Sequence, residues 1–554
     1  MLVSINTPGS PSSESSARIP VDVRRFSWIR RLAADYAYDF PRVAPFFAGD
    51  PAERRDWSAA IARTQGHRGR RSEIASVVAA QQERRQASPR AVEAAARLTD
   101  ASTVAILTGQ QAGLFGGPLF TLLKAMTALK LAGEIARDHQ VPAVAVFWVE
   151  GEDHDWDEVR SCTVFDKELV PRTVGLPPRT GDPTPVASVS LDGSITKVID
   201  ELAAVLPPTE FTSTLLDDLR GAYAPGHGMA DGFARWLERL LGPRGLIVYD
   251  ASDAASKPLA ADVFSRELST AGQTARLASI AGSDLVSRGY HAQVHVPEDN
   301  LALFRLDGAR RAIRQQDGQL LVGDERYQAS ALRQEAIDHP SGFSPGVLLR
   351  PIVQDALFPT VCYVAGPNEL AYLGQLRGVY EHFGVPMPLM YPRTSATLVD
   401  SATLRFLTKY QLPLEALQAQ DDAALNALLA TQIPPAVEQA FQSAAAAIDT
   451  EMTKLTQAVP AIDPTLEGTA KTTLGRMQHD LDTLHNKMIQ AAKRRHETLR
   501  RQFAHARALA FPHGDAQERA IAFVSFLNQY GPALLDRLGD GLPLDLGHHW
   551  ILSI

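Results

Sequence analysis

A chain of 554 residues with 45% hydrophobic and 21% charged residues is too long for one core, so about two to four domains are expected. A formal net charge of −8 argues against a protein that coats nucleic acid through overall charge, and only two cysteines leave no disulfide framework and no Cys/His zinc cluster. No run of about 18 apolar residues is present, so no membrane span is expected, and the cysteine usage suits the reducing cytoplasm.

The opening stretch NTPGSPSSESSARIP (6–20) is Ser/Pro-rich, and 1–21 reads as a mobile lead-in. Helical patterning follows to about residue 100. TVAILTG (103–109) is a β-branched run ending in glycine, followed by the loop QQAGLFGGPLF and by TLLKAMTALKLAGEIA, with helical spacing at Leu122, Met126, Leu129 and Ala132. VPAVAVFWV (141–149) is a second apolar strand, so the segment is a βαβ unit of a parallel sheet covered on both faces. GLIVYDAS (245–252) repeats the pattern with a helix from about 256 to 276. TVCYVAG (360–366) repeats it with a helix over 367–384, and MPLMY (387–391) adds a strand. The segment 289–330 (GYHAQVHV, LALFRLDG, QLLVGDERY) reads as antiparallel strands. The expected class is therefore α/β: a core over 22–400 with insertions at about 161–240 and 280–345. A helical domain over 401–515 follows, and 516–554 returns to the core. In the helical domain, Phe441, Ala445, Ile448, Met452, Leu455 and Val459 face Leu474, Met477, Leu481, Leu484, Met488 and Ala491 across the breaker PAIDP, as in an antiparallel coiled-coil hairpin. A two-helix hairpin buries little apolar surface by itself, so a partner chain is expected against it. The basic stretch Lys493-Arg494-Arg495 with Arg500 and Arg501 reads as a solvated face, with RNA contact as the other reading.

Ligands of open α/β sheets bind at the carboxyl ends of the strands, and three elements of this chain fall there. In TGQQAGLFGGP (108–118), four glycines let backbone N–H groups approach a ligand, and the next helix offers its positive N-terminus. The pattern is neither of the common nucleotide fingerprints. Glu152, Asp153, Asp155, Asp157 and Glu158 surround His154 directly after the second strand. Hard cations such as Mg²⁺ take oxygen ligands, which keeps a metal-dependent hydrolase or nucleotidyltransferase as the alternative function. No metal is firmly predicted, because consecutive loop residues cannot all face one ion. A second reading is amine recognition, in which a carboxylate holds an ammonium group and His154, or an Asp coupled to it, removes the proton. A third is capping of a helix start, which accounts for one or two of the carboxylates. The third element is LLRPIVQDALFPTVCYVAGPNE (348–369), which carries Arg350, Gln354, Asp355, Asn368 and Glu369, with Arg393 after the last strand. Its arginines suit carboxylates through bidentate hydrogen bonds, or else form structural ion pairs. His291, in the polar stretch 289–293, is either structural or a substrate contact.

Taken together, TGQQAGLFGGPLFTLLKA, VFWVEGEDHDWDEV, LRPIVQDALFPTVCYVAGPNELAYL and FPHGDAQER…FLNQYG resemble the bacillithiol-biosynthesis family BshC, the cysteine-adding enzymes. The resemblance implies a Rossmann-like core with two connecting-peptide insertions, similar to class I aminoacyl-tRNA synthetases, and a coiled-coil domain that forms a homodimer. It implies the last step of bacillithiol synthesis, an amide bond between the carboxyl of L-cysteine and the amine of glucosaminyl-malate. The resemblance favours His154 and Asp153 for binding and deprotonating the amine, with Asp155 and Glu158 at a helix start. Gln110, Gln111, Gly113, Asp155, His291, Arg350, Gln354, Asp355, Asn368, Glu369 and Arg393 would then surround the substrates. By the same analogy ATP, or another adenine nucleotide, would lie near Thr108, Gly109, Gly116 and Gly117. The HIGH-type histidine pair and the KMSKS-type lysine loop of those synthetases are absent: QQAGLFGG and PRTSAT stand at the corresponding places.

Overall fold

A computed structural model describes residues 18–554 apart from 68, 296, 298 and 433, and apart from the side chains of 492, 493 and 495. It divides into two compact units, one formed by residues up to 398 together with 517–554, the other by 399–516.

The first unit is built on a five-stranded parallel sheet of β1 (Val104–Gln111), β2 (Ala143–Glu150), β3 (Leu246–Asp250), β4 (Thr360–Ala365) and β5 (Leu389–Pro392), in the order β5-β4-β1-β2-β3. The inner strands are buried nearly end to end, as a sheet covered on both faces requires. Helix α1 (Leu119–His139) packs on β1 and β2, and α2 (Met229–Leu241) packs on β3. Met229–Leu241 therefore belongs to the layer covering the sheet, although it falls in the stretch read as an insertion. Strand order reverses between β1 and β4, which places the ligand crevice at their carboxyl ends.

The first insertion opens with the antiparallel pair Ser161–Phe165 and Pro171–Gly175. The second holds a five-stranded antiparallel sheet that runs from Asn300–Leu306 to Phe343–Pro345. Residues 289–295 are not the strand expected there. Gly289, at φ +80°, ends the preceding helix, and the Gln375 side chain takes the amides of Gln293 and Val294 that a ladder would need. The helix expected over 256–276 is two, α3 (Lys257–Ser269) and a second over Gln273–Ser287, separated at Gly272 with φ +79°. That over 367–384 likewise divides into Glu369–Leu373 and Arg377–Phe383.

Residues 1–17 of the expected lead-in lie outside the described residues, but Arg18–Asp22 is a strand paired antiparallel with His548–Ser553. In the second unit, Pro435–Ala458 and Leu466–Arg495 pack as a helical hairpin, with the rings of Phe441 and His485 stacked 4.5 Å apart. The side chains of 493 and 495 lie outside the described residues, and Arg494, Arg500 and Arg501 are exposed. Among the described residues no helix is long and apolar enough to cross a membrane.

Candidate active site

The carboxyl ends of β1, β2 and β4 and the second insertion enclose a cleft of about 690 Å³. Its floor is a buried lattice of charge. Lys124, a fully buried cation of α1, donates to the Gly109 carbonyl at 2.8 Å and pairs with Glu369 Oε2 at 2.5 Å. Burial pushes the ammonium below its ordinary pKa, with Glu369 pulling the other way. Burial alone would raise the Glu369 carboxyl, yet Lys124 and the Gly366 amide, 2.5 Å away, hold it low. Tyr363 donates to the same carboxylate at 3.2 Å.

Helix α4 (Arg350–Leu357) begins at the cleft, so its first residue points inward. Arg350 Nη2 donates to the Tyr372 hydroxyl at 2.9 Å, and Nε lies 3.8 Å from Glu150 Oε2. Burial works against this charge, but Tyr372, Tyr363, Glu150 and Glu369 raise it above the usual arginine value. Glu150, the last residue of β2, accepts from Trp148 Nε1 at 3.2 Å and from the Glu152 amide at 3.0 Å.

On the opposite wall stands Arg310, from the second insertion. Its guanidinium lies 3.9 Å from the Phe304 ring centroid and donates to Ser344 Oγ at 3.2 Å and the Pro345 carbonyl at 3.0 Å. The remaining nitrogen, Nη1, lies 3.5 Å from Asp153 Oδ1 and 3.3 Å from His154 Nδ1. Asp153 also accepts from Gln111 Nε2 at 2.7 Å. Behind this wall, Lys257 pairs with the buried Glu152 and donates to the Phe343 carbonyl at 3.1 Å. Burial pushes the Glu152 carboxyl up to about 7 against the pull of Lys257.

The cleft gathers Gly109, Gln110, Gln111, Asp153, Arg350, Asn368 and Glu369 from the residues singled out in the sequence, together with Glu158. His154 lines an adjoining cavity of about 440 Å³, its Nδ1 3.3 Å from Asp153 Oδ1. Asp155 lines that cavity as well, and its side chain caps the short helix Trp156–Val159 by accepting from the Glu158 amide at 3.1 Å. Gln354 and Asp355 lie buried outside the cleft, where Asp355 accepts from Tyr380 at 2.6 Å and burial pushes it up to about 6. Arg393 is also outside, locked by two hydrogen bonds of 2.9 and 2.7 Å to the buried Glu518. His291 lies off the cleft wall, and Gly113 presents its carbonyl to Tyr223 at 3.4 Å.

The glycine-rich segment does not fit a nucleotide phosphate. Thr108 spends its hydroxyl on the Val364 carbonyl at 3.0 Å, and the Phe523 ring fills the space beside Gly116. The amide of Leu119, at the start of α1, donates to Ile521 at 2.8 Å, and the Gly117 carbonyl accepts from Phe523 at 3.2 Å. Only Gly109 of that set faces the cleft. Nor do the carboxylates of 152–158 converge. Glu152 is spent on Lys257, Asp155 caps a helix and Asp157 pairs with Arg160. Among the described residues no three His, Cys, Asp or Glu side chains form a metal-holding group.

Sequence reasoning missed Lys124, Glu150, Arg310, Tyr363 and Tyr372. Lys124 carried a signal, a cation inside an apolar helix that must be paired. Arg310 carried none, because its place depends on how the insertion folds back over the sheet.

Residues 19–394 match the family described as bacillithiol biosynthesis BshC, N-terminal Rossmann-like domain, and 396–554 match its C-terminal coiled-coil domain. Residues 517–554, within the second match, fold with the first compact unit. A protein of Salinibacter ruber named "Putative cysteine ligase BshC" is 35% identical over 94% of this chain and 96% of its own. Proteins of the same name are similar at 34% in Chlorobaculum tepidum, over 85% of this chain and 86% of theirs, and at 32% in Koribacter versatilis, over 92% and 95%.

Proposed function

The chain belongs to the BshC family of bacillithiol biosynthesis, and from that premise we propose that it is a ligase adding L-cysteine to the amine of glucosaminyl-malate through an amide bond. The observation that carries this reading is the division of charge in one cleft. The carboxylates of Asp153, Glu150 and Glu158 suit an ammonium group, while Arg310 and Arg350 suit carboxylates. An amine donor that also carries acid groups, and a zwitterionic amino acid, both need that combination.

An ammonium nitrogen has no lone pair, so it must lose a proton before it attacks a carbonyl carbon. Asp153 faces the cleft and receives the ammonium. His154, 3.3 Å behind it, passes the proton toward solvent through the adjoining cavity. The new bond joins the amine nitrogen to the cysteine carbonyl carbon. The bond broken is that from this carbon to one carboxyl oxygen, which would leave on a phosphoryl or adenylyl group supplied by a nucleoside triphosphate co-substrate. The segment 113–118 does not fit a nucleotide phosphate. The reaction is a cytoplasmic one, and the enzyme works as a homodimer joined through the helical hairpin.

Thiol profiling of a strain lacking the gene tests the assignment. The expected result is accumulation of glucosaminyl-malate and loss of bacillithiol, restored by the intact gene. Normal bacillithiol in the deletion strain would overturn it.

A further inference from the structure

Arg310 is held firmly on three sides and only by longer contacts on the fourth. Phe304 stacks on its face, Ser344 and Pro345 accept from Nε and Nη2, and the whole side chain is only 8% exposed. These contacts fix the plane of the guanidinium before any substrate arrives, so little side-chain entropy remains to be lost on binding. Nη1 is directed at the cleft, where its partners are Asp153 Oδ1 at 3.5 Å and His154 Nδ1 at 3.3 Å. The Asp153 contact is long for a charge-assisted hydrogen bond, which usually closes to about 2.7–2.9 Å. Asp153 is itself held elsewhere, by Gln111 Nε2 at 2.7 Å and the His154 amide at 2.7 Å. A prearranged cation thus faces an internal carboxylate that satisfies it only loosely.

We propose that Arg310 is a specificity-determining residue that takes a carboxylate of the amine substrate, and that this carboxylate displaces Asp153 from the guanidinium edge. Before binding, Asp153 neutralises Arg310. After binding, the substrate's own acid group does so, and Asp153 is released to receive the ammonium. Recognition of the acid end of the substrate is in this way coupled to readiness of the base, and an amine without a carboxylate leaves Asp153 engaged. The inference rests on the acceptor assignment made above, but its test can be run without turnover.

Malate alone is the probe, titrated calorimetrically into the full chain. Wild type binds it, Arg310→Ala weakens binding by at least about tenfold, and Arg310→Lys, which keeps charge but loses the planar fork, falls between. Asp153→Asn moves affinity the other way, several-fold tighter, because the competing carboxylate is gone. A residue with only a structural role would not produce opposite shifts in two neighbours. No malate binding by wild type, or equal affinity in Arg310→Ala with its thermal transition unchanged, overturns the proposal. Weaker binding in Asp153→Asn overturns the coupling. In turnover, the ratio of kcat/KM for glucosaminyl-malate over methyl glucosaminide falls at least about tenfold in Arg310→Ala, and an unchanged ratio also overturns the proposal. Should malate bind through Arg310 while no amide forms with cysteine, the acceptor assignment fails and the carboxylate site stands.

Discussion

Asp153 and His154 are adjacent in sequence yet open on different spaces, and that separation divides their roles. Asp153 lines the main cleft, whereas His154 lines the neighbouring cavity, so in the proposed mechanism the proton would reach His154 by way of Asp153. Asp153→Asn removes the group proposed to receive the amine and is expected to lower kcat by about 10²-fold or more, in the range of a lost general base. His154→Ala removes only the relay and is expected to cost less, about tenfold, with most of the loss in kcat rather than KM. Steady-state kinetics on both variants decides the order, and a larger loss in His154→Ala would reverse the two roles. The sequence shows that this stretch ends a buried strand and therefore belongs to the crevice. It does not show which side chains turn inward, because each is decided by a partner distant in sequence. Lys257 withdraws Glu152, Gln111 draws Asp153 toward the cleft, and Arg310 arrives from a separate sheet. Arg393 illustrates the same limit. An arginine after the last strand resembles a carboxylate ligand until Glu518, 125 residues later, is seen to occupy it.

At the level of elements, strand His548–Ser553 is tied into the first unit by a buried polar cluster as well as by its ladder. His549 has both ring nitrogens in hydrogen bonds, to Ser395 Oγ at 2.7 Å and to Thr397 Oγ1 at 2.8 Å. Burial pushes the imidazole down to about 4 from an ordinary 6.5, and Arg393 adds to that effect. Burial would raise Glu518, but Arg393 holds it down at about 2. The unfolded chain therefore binds a proton at His549 over the whole interval from 6.5 to 4, where the folded chain does not. Stability from this residue is complete above that interval and is lost as pH falls through it. Between pH near 7.5 and pH near 5 the loss is about 2 kcal/mol. His549→Gln keeps a donor and an acceptor for the two hydroxyls and is expected to remove this part of the slope in urea unfolding. Equal slopes in variant and wild type would show that His549 already titrates freely in the folded protein. Elements with a continuous apolar pattern, β1, α1, β2 and β4, were legible in the sequence because burial on both faces leaves no other reading. The departures fall where one side chain or one glycine overrides the pattern. Gly272 divides the 256–276 helix, and Gln375 captures the amides of 293 and 294.

For the whole molecule, the second unit presents the largest gap between what the pattern promises and what one chain buries. Heptad spacing puts Leu455, Met477 and Leu484 on the seam, yet all three remain exposed, and the helix Pro435–Ala458 has no buried residue at all. Phe441, Ala445, Ile448 and Met452 are only half-buried, as are Leu474, Leu481 and Met488 across from them. The two helices, though in contact, thus leave an apolar strip of seam positions exposed at Leu455, Met477 and Leu484. Exposed apolar residues at heptad positions suit a surface covered by another chain, and closed two-fold pairing of identical chains is the commonest way to cover one. The expectation is a homodimer at micromolar concentration, read as twice the single-chain mass by light scattering. Replacing Leu455 and Leu484 together by Glu is expected to give the single-chain mass. Helicity by circular dichroism is expected to be retained, since neither residue is buried within one chain. A monomeric wild type would contradict the dimer. A dimeric double variant would move the contact away from this strip. The active-site cleft is lined entirely by residues of the first unit. The double variant should therefore keep malate binding through Arg310 even as it loses its partner, which separates the chemistry of the cleft from the assembly of the chains.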